Sequence, residues 1–362
     1  MGDDSRVVEE SRRLTIKDIA QKLNVSTATI SNAFNRPDQL SEQLRKRILE
    51  DCRQLGYDGP NAAARSLRTG RSGIIGVMLT DSLAYSMSDP VASQFLAGVG
   101  EVLDKQHCNM LLLQVKDEDS SYKSRQMESM VDGFIIYGIM RSGRQFERLM
   151  QQQKRTVTVD FDMDQFTSVN IENYSGARAS AEHALKHGHR QVAILGLRLI
   201  SDYQVALVSH RQLLNSRHSI TVRRLDGYLD ALSQAGLDPE QVPIWNIPEN
   251  SHRIAYQVAS EILMGPNRPT LLLCMSDRVA LAALQVALQL KIKVPEELHI
   301  VGFDGIPEGS NLHPSLTTVH QQSELKGQLA AKIFLGQEAD RDVVLPTRLV
   351  VRESCPAVGC KD

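Results

Sequence analysis

The stretch Leu14-Thr15-Ile16-Lys17-Asp18-Ile19-Ala20-Gln21-Lys22-Leu23-Asn24-Val25-Ser26-Thr27-Ala28-Thr29-Ile30-Ser31-Asn32-Ala33-Phe34-Asn35 holds two short helices and a tight turn. Thr15 can cap the first, with Asp18 three residues on, and Ile16, Ile19, Ala20 and Leu23 give it one apolar face. Asn24 breaks the pattern. Ser26 can cap a second helix whose Ile30, Ala33 and Phe34 point inward, leaving Thr27, Ala28, Ser31 and Asn32 toward a partner. Small polar groups on an exposed helix face suit the floor of a DNA major groove. A third helix, capped by Ser41, is expected to bury Leu44, Ile48, Cys52 and Leu55 while carrying Arg45, Lys46 and Arg47.

Charge supports a DNA-facing head. Residues 11–71 carry twelve Lys or Arg against six Asp or Glu, whereas the whole chain is −2. A basic head on a mildly acidic body is the asymmetry of a protein that holds phosphates at one end. The 362 residues, 42% hydrophobic and 23% charged, suffice for more than one core. No apolar run reaches membrane-spanning length and the first residues lack the apolar stretch of a signal peptide, so a cytoplasmic protein, nucleoid-associated when on DNA, is expected. Five scattered cysteines, Cys52, Cys108, Cys274, Cys355 and Cys360, fit reduced thiols better than a disulfide framework.

Beyond residue 72, β-rich runs at 74–79, 110–115, 134–137, 156–159, 192–195, 271–274 and 300–303 alternate with helical stretches. That is the rhythm of parallel α/β sheets, and seven strands over this length fit two doubly wound lobes better than one.

An ordered series of motifs then narrows the reading: Thr-Ile-Lys-Asp-Ile-Ala from Thr15, Val-Ser-x-x-Thr-Ile-Ser from Val25, Leu55-Gly56-Tyr57, Pro60-Asn61-x-x-Ala64-Arg65-Ser66-Leu67, and Ile75-Gly76-Val77. Val131-Asp132-Gly133, His187-Gly188-His189-Arg190, Ser276-Asp277-Arg278, Val301-Gly302-Phe303-Asp304 and Leu316-Thr317-Thr318 follow in order. Over nearly its whole length the chain resembles the lactose/galactose repressor (LacI/GalR) family of bacterial transcription regulators. The resemblance implies a small all-α helix-turn-helix head joined by a hinge helix to a two-lobed, periplasmic-binding-protein-like body with parallel sheets. It divides the chain into a tail at 1–13, the DNA-binding domain at 14–60, a hinge at 61–72, an effector-binding and dimerisation domain at 73–352 and a tail at 353–362. The lobes are expected at 73–171 plus 320–340 and at 172–319 plus 341–352.

On DNA, Thr27, Ala28 and Asn32 are expected at base edges, and Thr15, Ser26, Thr29, Ser31 and Asn35 at phosphates or fixing register. The resemblance places Asn61 and Ala64 in the hinge helix and Leu67 in the minor groove as a wedge, with Arg68 beside it. One recognition helix reads half a site, so a homodimer on a palindromic operator is expected. A tetramer is disfavoured because no leucine heptad closes the chain.

In two-lobed α/β folds ligands sit beyond the carboxyl ends of the strands. Asp160, Ser276 and Asp304 follow strand runs there, Arg224 lies in the Arg-x-x-Gly pattern the family sets against its effector, and Tyr85 and Tyr137 fall where the family lines its pocket. Carboxylates accepting from hydroxyls with a forked guanidinium opposite suit a sugar or nucleoside-like effector. Ser276 stands where the family usually has Asn, and the segment from Gly196 to Arg224 is longer than the family norm. Inducer and co-repressor readings both stay open. The rival class, a soluble sugar-binding module without a DNA role, leaves the basic helix-turn-helix unexplained. An enzyme is not expected: Gly98-Val99-Gly100 sits in a helical stretch rather than after a strand, and no nucleophile motif has a suitable context. His183 and His187 share a helix face, but with Gly188 reading as a helix stop no metal or cofactor is expected.

Overall fold

Thr15 and Asp18 cap each other at the start of α1 (Ile16–Lys22): the Asp18 N–H donates to Thr15 Oγ1 at 3.4 Å, and the Thr15 N–H and hydroxyl donate to Asp18 Oδ2 at 2.8 and 2.7 Å. Asn24 ends the turn at φ 52°, a left-handed geometry that Asn tolerates. Ser26 then caps α2 (Thr27–Asn35) and Ser41 caps α3 (Glu42–Gln54). Ile19, Ala20, Ile30, Ala33, Ile48, Cys52 and Tyr57 form their shared core. Arg45, half-buried, donates through Nε to Ala33 O at 3.0 Å, closing a carbonyl near the end of α2.

The computed structural model describes residues 14–59, 71–115, 122–138, 144–163, 165–200, 202–209 and 219–359. The chain divides into two compact units, Met1–Ile74 and Ile75–Asp362. Among the described residues no helix is long and apolar enough to cross a membrane.

The larger unit is built on two sheets. In the first lobe the order is β12 (Val343–Leu345), β5 (Thr167–Ile171), β4 (Arg155–Val159), β3 (Gly133–Tyr137), β1 (Ile74–Leu79) and β2 (Asn109–Gln114), parallel from β12 to β1. In the second lobe it is β13 (Arg348–Val350), β11 (Thr317–His320), β10 (His299–Asp304), β9 (Leu271–Cys274), β6 (Val192–Leu197), β8 (Ile244–Ile247) and β7 (Ala206–Leu207). There β11 through β8 run parallel, and β13 and β7 are antiparallel edges. Leu271 and Leu273 enter one core and Leu272 and Cys274 the other, so the second sheet is buried on both faces, as parallel sheets are.

The chain passes between lobes after β5, after β11 and between β12 and β13. The last passage corrects the expectation that residues 341–352 belong to the second lobe. Val343, Val344 and Leu345 pair with Val169, Asn170 and Ile171, so the crossing lies at 346–347. The short run before it has no period long enough to reveal which sheet it joins.

Helix α4 (Leu83–Ser88) and α5 (Pro90–Lys105) follow β1, α6 (Tyr122–Met130) and α7 (Arg144–Gln151) flank β3, and α12 (Ser323–Phe334) returns from β11 to cross α5. The second lobe carries α8 (Asn173–Leu185), α9 (Ile220–Gln234), α10 (His252–Met264) and α11 (Asp277–Gln289). A Cβ added at Gly327 would lie 2.1 Å from Phe95 O, and one at Gly98 would lie 2.0 Å from Glu324 O. The backbones of α5 and α12 therefore touch, and only glycine fits. Gly327→Ala is expected to cost about 1–3 kcal/mol by forcing α12 off α5, read from the urea unfolding midpoint; an unchanged midpoint refutes this close crossing.

Candidate functional site

On α2, Thr27 and Ala28 are exposed and Thr29, Ser31 and Asn32 are exposed or half-buried around them. Ser26 and Thr29 are partly engaged at the helix start, since their hydroxyls lie 2.8 Å apart and Ser26 Oγ accepts the Thr29 N–H at 3.0 Å. Asn35 donates through Nδ2 to Ser31 O at 3.0 Å, and exposed Thr15 is spent on the cap of α1. Thr27 and Ala28 are therefore the exposed members of this face, with Ser31 and Asn32 half-buried, and Lys17, Lys22 and Arg36 are exposed in the same unit. Asn61, Ala64, Leu67 and Arg68 lie outside the described residues.

In the larger unit, strand ends converge where the lobes meet. Asp160, at φ 66° just after β4, is buried and receives buried Lys326 of α12, whose Nζ donates to its two oxygens at 2.9 and 2.7 Å. Lys326 also lies 3.5 Å from Gln321 Oε1, and Gln321 Nε2 donates to Asp304 Oδ1 at 2.7 Å. Arg224, on α9, reaches that same Oδ1 at 3.5 Å. One chain of polar side chains thus runs from the first lobe through the crossover to the second.

Arg224 is held on every side. It donates to Asn173 Oδ1 at 2.9 Å and to Met275 O at 2.7 Å, and its guanidinium lies 3.6 Å from the Phe303 ring centroid. This differs from the sequence expectation of a guanidinium standing opposite the carboxylates: the structure pairs it directly with Asp304, because both are buried and neither charge is tolerated alone. Each carboxylate oxygen has two lone pairs, so capacity remains for a hydroxyl donor. Burial raises Asp304 well above the ordinary carboxylate range, with Arg224 pulling the other way. Beside it, burial pushes Asp277 up to about 6 against hydrogen bonds from Thr318, Ile306 and Gly305.

Ser276 caps α11 and donates to Asn250 Oδ1 at 2.6 Å. Arg278 donates to Asn250 O at 3.0 Å and across the lobes to Ser88 O at 2.5 Å. A second bridge joins Arg198 to Asp81 at 2.8 Å, with the guanidinium 5.8 Å from the Tyr85 ring centroid. Tyr137 stacks on Phe95 with centroids 4.3 Å apart and has Lys326 5.6 Å from its ring centroid, so Phe95 already covers one face. Burial, then the charge of Asp160, raises its phenol well above the ordinary value. All six expected residues, Tyr85, Tyr137, Asp160, Arg224, Ser276 and Asp304, thus stand around the junction of the lobes.

Sequence reasoning missed Gln321, Lys326, Asn173, Asn250, Arg198 and Arg278. Lys326 carried one signal, a lysine set between Leu325 and Gly327 on an otherwise apolar helix face. The long segment between Leu197 and Ile220 is tied down at its start: Asn246 Oδ1 accepts the Leu199 N–H at 2.7 Å and its Nδ2 donates to Gln204 O at 2.8 Å.

Residues 15–61 match the family of bacterial regulatory proteins, lacI family, and residues 181–355 match a periplasmic binding protein-like domain. An HTH-type transcriptional regulator of Mycolicibacterium smegmatis is 36% identical over 335 residues, covering 89% of this chain and 90% of the relative. The crystal structure of a LacI family transcriptional regulator from Corynebacterium glutamicum superposes with a TM-score of 0.68 at 27% identity, over 96% of this chain and 100% of that one. The lac repressor dimer bound to operator and the anti-inducer ONPF shares the fold, with a TM-score of 0.72 at 22% identity over 96% of this chain and 100% of that one. The chain belongs to the lacI family of bacterial regulatory proteins. It is a helix-turn-helix transcriptional regulator rather than an enzyme.

Proposed function

We propose that this regulator is a repressor that binds a palindromic operator as a homodimer, with an affinity set by a carbohydrate held between its lobes among Tyr85, Tyr137, Asp160, Arg224, Ser276 and Asp304. The observation that carries this reading is the continuous chain Asp160–Lys326–Gln321–Asp304–Arg224, which ties the two lobes together at their strand ends. A polyhydroxylated ligand entering that chain alternates donors and acceptors as these side chains do, so binding alters how the lobes sit and hence the spacing of two heads. Two-fold pairing supplies the second half-site that one α2 cannot read.

The test is selection of bound duplexes from a random pool by the full-length protein at near-physiological salt, followed by titration of the selected duplex against a panel of sugars and polyols. An enriched palindrome whose affinity one carbohydrate shifts about 5- to 150-fold is expected. A non-palindromic product, or a purine in place of a carbohydrate as the active compound, overturns the corresponding part.

Asn32, able to donate and accept, is expected to read a base edge. Asn32→Ala should cost about 1–3 kcal/mol of affinity for the selected duplex while leaving binding to random-sequence DNA unchanged in a fluorescence titration. Equal loss on both duplexes would assign Asn32 to the phosphates.

A further inference from the structure

Sequence spacing alone leaves His183 and His187 as a pair on one face of α8 and its C-terminal turn. The structure adds a third donor from far along the chain. After β13 the backbone turns back along this helix and buries Cys355 beside the two rings, so that one ligand atom from each of His183, His187 and Cys355 lies within 4.8 Å of the others. Cys355 is a free thiol.

The rings are already oriented. His183 Nε2 lies 3.0 Å from Cys355 O and His187 Nε2 lies 2.8 Å from Pro356 O. A carbonyl only accepts, so each Nε2 carries a hydrogen, which leaves Nδ1 as the nitrogen a metal ion would take. An imidazole whose N–H is fixed on a backbone carbonyl while its other nitrogen is bare is the usual arrangement of a metal-binding histidine. Of the three, His187 also borders an open pocket of about 520 Å³ that it lines with His189 and His299.

We propose that His183, His187 and Cys355 bind a borderline-soft divalent ion of the zinc class, which fastens the C-terminal segment to α8. Two imidazoles and a thiolate favour such an ion over magnesium or calcium, and three protein donors leave a fourth position for water. The site lies on the second lobe, apart from the Asp160–Asp304 chain, and does not rest on the effector reading.

The experiment is titration of chelator-treated, tag-free full-length protein with Co²⁺, followed by displacement with Zn²⁺. One equivalent of Co²⁺ is expected to raise a thiolate-to-metal charge-transfer band in the near ultraviolet that Zn²⁺ abolishes. Cys355→Ser should remove the band, and His187→Asn should weaken Co²⁺ binding at least about tenfold; Cys108→Ser should leave both unchanged. Absence of the band in the wild-type protein overturns the proposal without recourse to any variant. So does a band that survives Cys355→Ser, or an affinity unmoved by His187→Asn, whose half-buried ring can be replaced without opening the core.

Discussion

Lys326→Met is expected to lower the unfolding free energy by about 3–5 kcal/mol, because it removes the cation from a fully buried pair and leaves Asp160 charged and alone. The Lys326 side chain is 0% exposed and that of Asp160 8%. Two short hydrogen bonds join them, so the carboxylate has no solvent to turn to. Methionine keeps the bulk of the lysine stem, so the loss reads charge rather than volume. The double variant Lys326→Met with Asp160→Asn leaves neither charge behind and should recover most of the loss. Urea unfolding followed by circular dichroism measures all three proteins. A single variant within about 1 kcal/mol of wild type, or a double variant no better than the single, would mean that the pair contributes little and that Asp160 is met by other donors.

The head could be read from its sequence because its signals are local. Thr15 with Asp18, the break at Asn24 and the caps at Ser26 and Ser41 each act within three or four residues, and the structure shows them in those roles. Strands such as 74–79 and 271–274 announced themselves by unbroken apolar runs, as both faces are buried. The strands Thr167–Ile171 and Thr317–His320 did not: their Ser168, Asn170, Thr317 and Thr318 are buried polar groups, and polarity in a short run reads as loop. The edge strands Ala206–Leu207 and Arg348–Val350 are simply too short to show a period.

At the site, Asp160, Arg224 and Asp304 were legible because a polar residue directly after a strand, or in a family motif, marks itself. Their partners were not. Lys326 stands 166 residues from Asp160, and a lysine on a helix ordinarily means a solvated face. Only the passage of the chain from β11 into α12 turns it inward. The same holds for Cys355, which reaches His183 across 172 residues. What sequence could not supply in either case is the return of a late segment to an early one.

Asp304→Ala is expected to reduce the effector's influence on operator affinity from about 5- to 150-fold to about onefold. Asp304 is where the chain that joins the lobes enters the second lobe: its Oδ1 takes Gln321 from the crossover at 2.7 Å and Arg224 at 3.5 Å, while its Oδ2 accepts the Asp277 N–H at 3.2 Å. Without it, Gln321 and Lys326 stay with the first lobe's Asp160, and Arg224 stays with Asn173 and Met275 in the second. The ligand then loses the polar chain that passes between the lobes at the strand ends, and only the Arg278–Ser88 and Arg198–Asp81 contacts still span them. Because Arg224 keeps those two partners and the Phe303 ring, the variant should still fold and still bind operator in the absence of effector. Operator titrations with and without the effector that shifts the wild-type protein, run beside calorimetry of that effector, separate the two possibilities. A variant that binds it and responds as wild type does would remove Asp304 from the coupling. One that binds it without responding would show that occupancy and signal part company at this residue.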